Sequence, residues 1–152
     1  MTDWKAITDK KAELYQGLPQ EIIDEYAGKS GVYGLYILDH LVYVGESSDI
    51  LNRWIAHKIN TLYDYGQKDY KEEKYAILRE AWNCNYPISC RVLEYCENDK
   101  QVLRTREKEW IKQCQPILNG GRATIGFKGW EFLMNLPTCE KKIGQLRKNV
   151  HQ

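Results

Sequence analysis

Two short runs of β-branched and aromatic residues constrain the fold of this chain most. Residues 31–38 are GVYGLYIL, residues 41–45 are LVYVG, and Asp39-His40 lies between them. Such runs around a polar pair are typical of a β-hairpin. The 152 residues are enough for one hydrophobic core and too few for two, so we expect a single domain over residues 1–152.

The segments around the hairpin have the spacing of helices. Helices are predicted over residues 4–15, 20–27, 49–62, 70–82, 100–114, 129–135 and 138–149, and a third strand over residues 88–95. Residues 63–69 and the four-glycine segment 120–129 are predicted to be loops. The sequence therefore predicts an α+β fold with one small sheet, an N-terminal helical extension (1–28) and a basic helical tail (129–152).

Composition excludes several classes of protein. No apolar run approaches membrane-spanning length, and the charged N-terminus lacks the apolar core of a secretory signal. The five cysteines include no CxxC pair, and the three histidines lie away from them, which disfavours structural zinc. We therefore expect a cytoplasmic protein with no membrane partner and with reduced, mostly buried thiols.

The charge is unevenly distributed along the chain. Residues 1–75 contain 9 Lys and Arg against 13 Asp and Glu, whereas residues 76–152 contain 13 against 8. A basic C-terminal half is compatible with phosphate contact, and it is equally compatible with ordinary solvated surface charge.

Glu107 is the residue whose position is hardest to explain by packing. In the predicted helix 100–114 it lies four residues after Leu103 and three before Trp110, on the apolar face. A carboxylate on a buried face is costly unless it is paired or binds a cation. The alternatives are a structural ion pair and a metal ligand.

Arg53 and His57 are four residues apart and share one face of the predicted helix 49–62. This face is opposite the apolar stripe formed by Leu51, Ile55 and Ile59. A guanidinium and an imidazole that point the same way can hold a phosphate, and the alternative is an exposed polar face.

The register of the hairpin decides whether Tyr33 and Tyr43 can share a site. A two-residue turn at Asp39-His40 pairs Tyr43 with Tyr36 and puts the two tyrosines on opposite faces. A three-residue loop or a β-bulge pairs Tyr43 with Leu35 and puts them on the same face. A common site therefore predicts the longer loop or the bulge, and ordinary strand packing remains the alternative role for both rings.

Taken together, these residues resemble the GIY-YIG nuclease superfamily. Gly31-Val32-Tyr33 and Tyr43-Val44-Gly45 match its two triplets, and Arg53, His57, Glu107 and Asn119 match its later positions over about residues 30–120. The spacing is most similar to the nuclease domain of the bacterial excision-repair incision protein. The resemblance implies a three-stranded antiparallel sheet between helices and a DNA endonuclease that uses Mg²⁺ or Mn²⁺.

The resemblance also implies roles for these residues. Glu107 would bind the metal, and Arg53 would stabilise charge on the phosphate. Tyr33, in preference to Tyr43, would activate the attacking water, which requires a lowered pKa. His57 would assist proton transfer or hold the phosphate, and Asn119 would either support the catalytic residues from behind or tether backbone. We expect further substrate contacts from Lys58 and Asn119, and from the tail residues Lys141, Lys142, Arg147 and Lys148.

Three further expectations accompany this resemblance. Cutting both strands with one site requires a homodimer or two sequential nicks. Glu46 departs from the family pattern, because a carboxylate beside the second triplet would repel the phosphate unless it is neutralised or turned away. The alternatives are an inactive scaffold that binds nucleic acid or protein, and a protein-binding regulator with an exposed aromatic patch at Tyr63–Tyr70.

Overall fold

The structure, a computed structural model, describes residues 1–136, apart from the side chains of residues 122–124. The fold is α+β, and the described residues form a three-stranded antiparallel sheet and six α-helices. The elements are α1 (Trp4–Gln16), α2 (Gln20–Tyr26), β1 (Gly31–Ile37), β2 (His40–Ser47), α3 (Ile50–Leu62), α4 (Glu73–Asn83), β3 (Ile88–Tyr95), α5 (Lys100–Cys114) and α6 (Arg122–Asn135). The predicted helix 138–149 lies outside the described residues.

A β-bulge sets the register of the hairpin. The strand order is β2-β1-β3, with β1 in the centre. The chain turns at Leu38-Asp39, so His40 lies opposite Ile37, but the register then shifts and Tyr43 lies opposite Leu35. The extra residue in β2 puts Tyr33 and Tyr43 on one face, with ring centroids 6.5 Å apart. The shared face predicted from the sequence is confirmed, and the bulge rather than a longer loop produces it.

Helix α3 is buried on two sides. Leu51, Ile55 and Ile59 pack against α1 and α2 in a small cluster that includes Ile7. The opposite side, which contains His57, packs against the sheet and α4, and His57 has no exposed surface. The alternative that Arg53 and His57 form an exposed polar face is therefore wrong.

Helix α5 is fixed against the sheet by one carboxylate of β3. Glu94 accepts hydrogen bonds from Arg106 Nε at 2.7 Å and Nη2 at 2.8 Å, and from Trp110 Nε1 at 3.1 Å. Because Arg106 and Trp110 lie one turn apart on α5, their hydrogen bonds to Glu94 fix the rotation of the helix about its own axis. As a result, Glu107 is directed towards β2.

The predicted loop over residues 120–129 is wrong, because α6 begins at Arg122 and continues through two glycines. A Cβ at Gly129 would overlap the side chain of Ile77. This glycine therefore allows α6 to approach α4 closely, and glycine in a helix marks close packing here instead of a break.

The predicted aromatic patch at Tyr63–Tyr70 is also absent from the described surface. Tyr63 and Tyr65 stack on each other with centroids 5.9 Å apart and pack against the α1–α3 cluster. Tyr70 lies under the guanidinium of Arg79. All three rings are partly buried, so they form no exposed docking surface.

None of the helices within residues 1–136 has both the length and the apolar character needed to cross a membrane.

Candidate active site

A chain of three buried side chains forms the centre of the candidate site. The hydroxyl of Tyr33 lies 2.7 Å from His57 Nε2, and the hydroxyl of Tyr75 lies 2.7 Å from His57 Nδ1. Tyr33 comes from β1, His57 from α3 and Tyr75 from α4. Each is at most 1% exposed. Because both ring nitrogens are engaged, the imidazole is fixed in position and each nitrogen has a defined partner.

Arg53 extends this cluster towards the surface. Its guanidinium lies close enough to the hydroxyls of Tyr33, Tyr43 and Tyr75 to interact with all three. The side chain is half-buried. Within residues 1–136, no carboxylate lies at ion-pair distance from Arg53. The site thus contains a partly desolvated cation whose neighbours are phenols and an imidazole.

The protonation states follow from burial. Burial, followed by the charges of Arg53 and Lys74, lowers the pKa of His57 well below its ordinary value, so the imidazole is neutral at pH 7. Burial raises the pKa of Tyr33, and the nearby Tyr43 adds to this, while Arg53 opposes it only in part. The lowered pKa that a general base at Tyr33 requires is therefore not found in the structure.

The neutral state of His57 should make folding stability depend on pH. In the unfolded chain His57 takes up a proton near pH 6.5, whereas in the folded protein it stays neutral to a much lower pH. Stability should therefore fall as the pH drops below about 6.5, by about 1.4 kcal/mol per pH unit, or about 2 kcal/mol at pH 5. Urea unfolding at pH 7, 6 and 5 measures this loss.

The matched variants are His57→Gln, which should lack this loss, and His40→Gln, which changes an exposed histidine and should keep it. Carboxylates that titrate in the same range contribute equally to all three proteins. The chemical shift of the His57 ring protons gives a direct reading. A ring that titrates near pH 6.5 in the folded protein would contradict the buried neutral state.

Two glycines of the strands are required by close contacts. A Cβ at Gly45 of β2 would overlap the hydroxyl end of the side chain of Tyr33, its pairing partner in β1. A Cβ at Gly31 would overlap the backbone carbonyl of Glu94 in β3. The first contact positions the Tyr33 hydroxyl over β2, and the second allows β1 and β3 to pair closely.

Replacing Gly45 by alanine should therefore push Tyr33 away from His57. We expect a loss of about 1–3 kcal/mol of stability, because an extra methyl group must be fitted into a packed core. Urea unfolding measures the loss, and the Tyr33 and His57 ring resonances report the displaced hydrogen bond. The control is Gly121→Ala, where no atom lies within 4 Å of the added Cβ. Equal stability of both variants would show that the Gly45 contact is easily relieved.

Asn119 and Glu107 both bind the outer edge of β2. Asn119 accepts a hydrogen bond from Val44 N at 2.8 Å and donates one to Val44 O at 2.8 Å, so it occupies both outward-facing groups of that residue. The next outward-facing amide, that of Glu46, donates to the Glu107 carboxylate. The backbone-tethering role expected for Asn119 is therefore present. Gly45 lies between these two attachments, so the Glu46 amide beside Glu107 is one residue along the strand from the contact with Tyr33.

Glu107 has a carboxylate neighbour instead of a cationic partner. It is half-buried, and no lysine, arginine or histidine of the described residues forms an ion pair with it. Burial and then the charge of Glu46 raise its pKa, and the hydrogen bond from the Glu46 amide opposes this. Within residues 1–136, the structural ion pair that was the alternative explanation of Glu107 is not observed.

This donor set fits magnesium. Mg²⁺ is held in proteins by one or two carboxylates, with water and substrate phosphate in the remaining positions. Glu107 supplies one such carboxylate and Glu46 a second nearby. Within residues 1–136 no group of three or more His, Cys, Asp or Glu side chains is arranged around a common point, so a closed zinc-type site is not formed there.

A surface cleft of about 380 Å³ opens beside the cluster. Its walls include Tyr43, Lys74 and Asn119, together with Glu72 and Glu73. Lys74 Nζ lies 4.6 Å from the centre of the Tyr43 ring, and it also pairs loosely with Glu72 at 3.6 Å. Of the two site tyrosines, Tyr43 is therefore the one that borders solvent.

Four of the residues that the sequence selected meet in one cluster, and Glu107 lies beside Glu46 of the strand that contains Tyr43. The cluster consists of Tyr33, Tyr43, Arg53 and His57. No family model, curated protein or solved structure matches this chain. An assignment of function therefore depends on the geometry and charge of the site.

Lys58, which was predicted to contact the substrate, lies apart from the cluster. Lys58 places its ammonium 5.3 Å from the centre of the Trp54 ring, and burial lowers its pKa. It lines a small apolar cavity behind His57 and has no contact with the Arg53 guanidinium among those observed. Lys141, Lys142, Arg147 and Lys148 lie outside the described residues.

Sequence reasoning missed Lys74 and Tyr75. Lys74 is four residues before Leu78 and seven before Ala81, so it lies on the buried face of α4, and its side chain is only 14% exposed. A cation on an apolar face is the same signal that selected Glu107, and it was available. Tyr75 carried no such signal, since a buried tyrosine is ordinary core and only its neighbours reveal the partner of its hydroxyl.

Proposed function

We propose that this protein is a metal-dependent endonuclease that hydrolyses phosphodiester bonds in DNA, in the manner of the GIY-YIG enzymes that its motifs resemble. The observation that carries the proposal is Arg53. A half-buried guanidinium without a carboxylate partner in the described structure is costly unless an anion from outside completes it. Its planar fork suits the oxygens of a phosphate.

The neighbours of Arg53 favour a phosphate over other anions. Lys74 is a second cation close enough to His57 for its charge to act on the imidazole, and it lines the cleft with Tyr43 and Asn119, beside Glu72 and Glu73. A bound phosphate would interact with Arg53 and Lys74, the two charges that lower the pKa of His57. Binding would therefore raise the proton affinity of the imidazole at the moment when substrate is present.

Hydrolysis by this site would divide the work among the residues as follows. Glu107, assisted by Glu46, would hold Mg²⁺ or Mn²⁺, which when bound neutralises the phosphate and stabilises the leaving oxygen. Arg53 would stabilise the charge that develops on the phosphate oxygens during attack. In this arrangement the bound cation would neutralise the Glu46 carboxylate, so Glu46 would not repel the phosphate.

The two tyrosines would have different roles. Tyr43 borders the cleft and would position the attacking water, whereas the hydroxyl of Tyr33 is buried between Arg53 and His57. We therefore assign Tyr33 to holding the guanidinium and the imidazole in place. This reverses the preference for Tyr33 as the base, because burial keeps its phenol protonated.

The alternative is an inactive scaffold that binds nucleic acid or protein. A scaffold has no use for an unpaired, partly buried carboxylate, and Glu107 would be expected in a structural ion pair. The lack of such a pair among the described residues supports the enzyme over the scaffold.

A plasmid assay tests the function. Supercoiled DNA is incubated with the protein and Mg²⁺, Mn²⁺ or EDTA, beside Glu107→Ala and Arg53→Ala. We expect conversion to the nicked circle with either metal, no conversion in EDTA, and strong loss in both variants. Equal nicking by all three proteins would indicate a contaminant, and no nicking by the wild type with either metal would reject the proposal.

The products also report on assembly. A single site gives nicked circles first, whereas a homodimer with two sites gives linear DNA without an accumulated nicked form. We place the enzyme in the cytosol.

A further inference from the structure

Four basic residues form a line on the solvent side of α5. Lys100, Arg104, Lys108 and Lys112 are spaced four residues apart, and all four side chains are exposed. At 1.5 Å per residue the line is about 18 Å long, with about 6 Å between successive members. We refer to these four residues as the basic stripe.

The basic stripe is not neutralised by the rest of the described protein. None of its four members forms an ion pair within residues 1–136. Like charges four residues apart repel each other and destabilise a helix. The stripe contains three such pairs in succession, an arrangement that a polyanion bound along the helix would stabilise.

The stripe begins beside the candidate metal ligand. Lys100 lines a surface cleft of about 400 Å³ together with Glu46, Ser47 and Ser48 at the end of β2. Arg104 and Lys108 are close enough for their charges to act on the Glu107 carboxylate. Because successive members are turned about 40° from each other around the helix, the stripe begins at Lys100 on the side of β2 and turns towards solvent at Lys112.

We propose that the basic stripe is the surface that binds the phosphate backbone of duplex DNA and guides it to the site. Its length of about 18 Å corresponds to about five base pairs at 3.4 Å each. Regularly spaced cations along a straight rod suit a regular polyanion better than a compact ligand. This inference rests on the proposed function, since it takes DNA as the substrate.

The experiment measures binding without cleavage. The wild type is titrated with a fluorescein-labelled 20-base-pair duplex in EDTA at several salt concentrations, and anisotropy gives Kd. The test variant is Arg104→Gln/Lys108→Gln/Lys112→Gln. The matched control is Lys5→Gln/Lys29→Gln/Lys68→Gln, which removes the same charge from exposed positions elsewhere.

For the test variant we expect binding at least tenfold weaker than that of the wild type at low salt. Each phosphate contact contributes about 0.9 to the slope of log K against log salt, so the slope should fall by about 2 to 3. The control should keep the wild-type slope. The melting temperature of the test variant should stay equal or rise, because three repulsive pairs are removed.

Several outcomes would overturn the inference. They are an unchanged slope in the test variant, equal losses in both triple variants, no binding of duplex by the wild type, or tighter binding to anionic lipid vesicles than to duplex. The proposed function fails separately, by absence of plasmid nicking. Wild-type protein that binds DNA through the stripe and never cuts it would reject the nuclease and keep the surface.

Discussion

Replacing Arg53 by alanine should lower the rate of plasmid nicking by about 10²- to 10³-fold, the usual effect of removing one charged donor that stabilises a transition state. Arg53→Lys should recover only part of the rate. Lysine keeps the positive charge but lacks the planar fork that binds two phosphate oxygens and the Tyr33 hydroxyl together. Initial rates of nicked-circle formation at saturating Mg²⁺ measure both variants.

The matched control is Arg91→Ala. Arg91 is an exposed arginine of β3 that pairs with Asp39 at 3.2 Å and lies over the Tyr36 ring at 4.3 Å. It should nick at close to the wild-type rate. If Arg53→Lys is as active as the wild type, then a point charge is sufficient and the bidentate role of Arg53 is wrong. If Arg53→Ala also retains full activity, the phosphate site lies elsewhere.

Replacing Glu107 by glutamine should abolish metal-dependent nicking, with a loss of about 10³-fold. The change keeps the size of the side chain and removes the charge that holds the cation. Stabilisation of the transition state by the metal is worth several kcal/mol, and about 1.4 kcal/mol corresponds to a tenfold change in rate. Titration with Mg²⁺ and with Mn²⁺ should show no recovery at high metal. Glu109→Gln, on the same helix, should behave as wild type.

The stability of Glu107→Gln separates a metal ligand from a structural residue. Burial and then Glu46 raise the pKa of Glu107, so the charged form is disfavoured in the folded protein relative to the unfolded chain. Stability in the absence of metal therefore declines as the pH rises through that pKa, and the variant should be as stable as the wild type at pH 7, or more so. A strongly destabilised variant would indicate a structural role.

Much of the fold could be predicted because its signals are local. Runs of β-branched and aromatic residues over 31–45 and helical spacing over residues 100–114 are local signals, so the hairpin, α5 and the inward position of Glu107 were all predictable. Requiring Tyr33 and Tyr43 to share a face predicted either a longer loop or a bulge, and the structure has the bulge. The same rules failed in α6, because its glycines predicted a loop. Gly129 instead allows α6 to pack closely against Ile77 of α4.

The sequence by itself determined which residue types are present and which face of its element each one occupies. Only the tertiary structure decided their chemical state. His57 is neutral and Tyr33 protonated because α4 and the sheet exclude water from both, and Tyr75 fixes the imidazole from 18 residues away. Asn119 holds β2 from a distance of 75 residues. The burial of a side chain and the charges around it depend on segments that are distant in the chain, so local periodicity does not predict them.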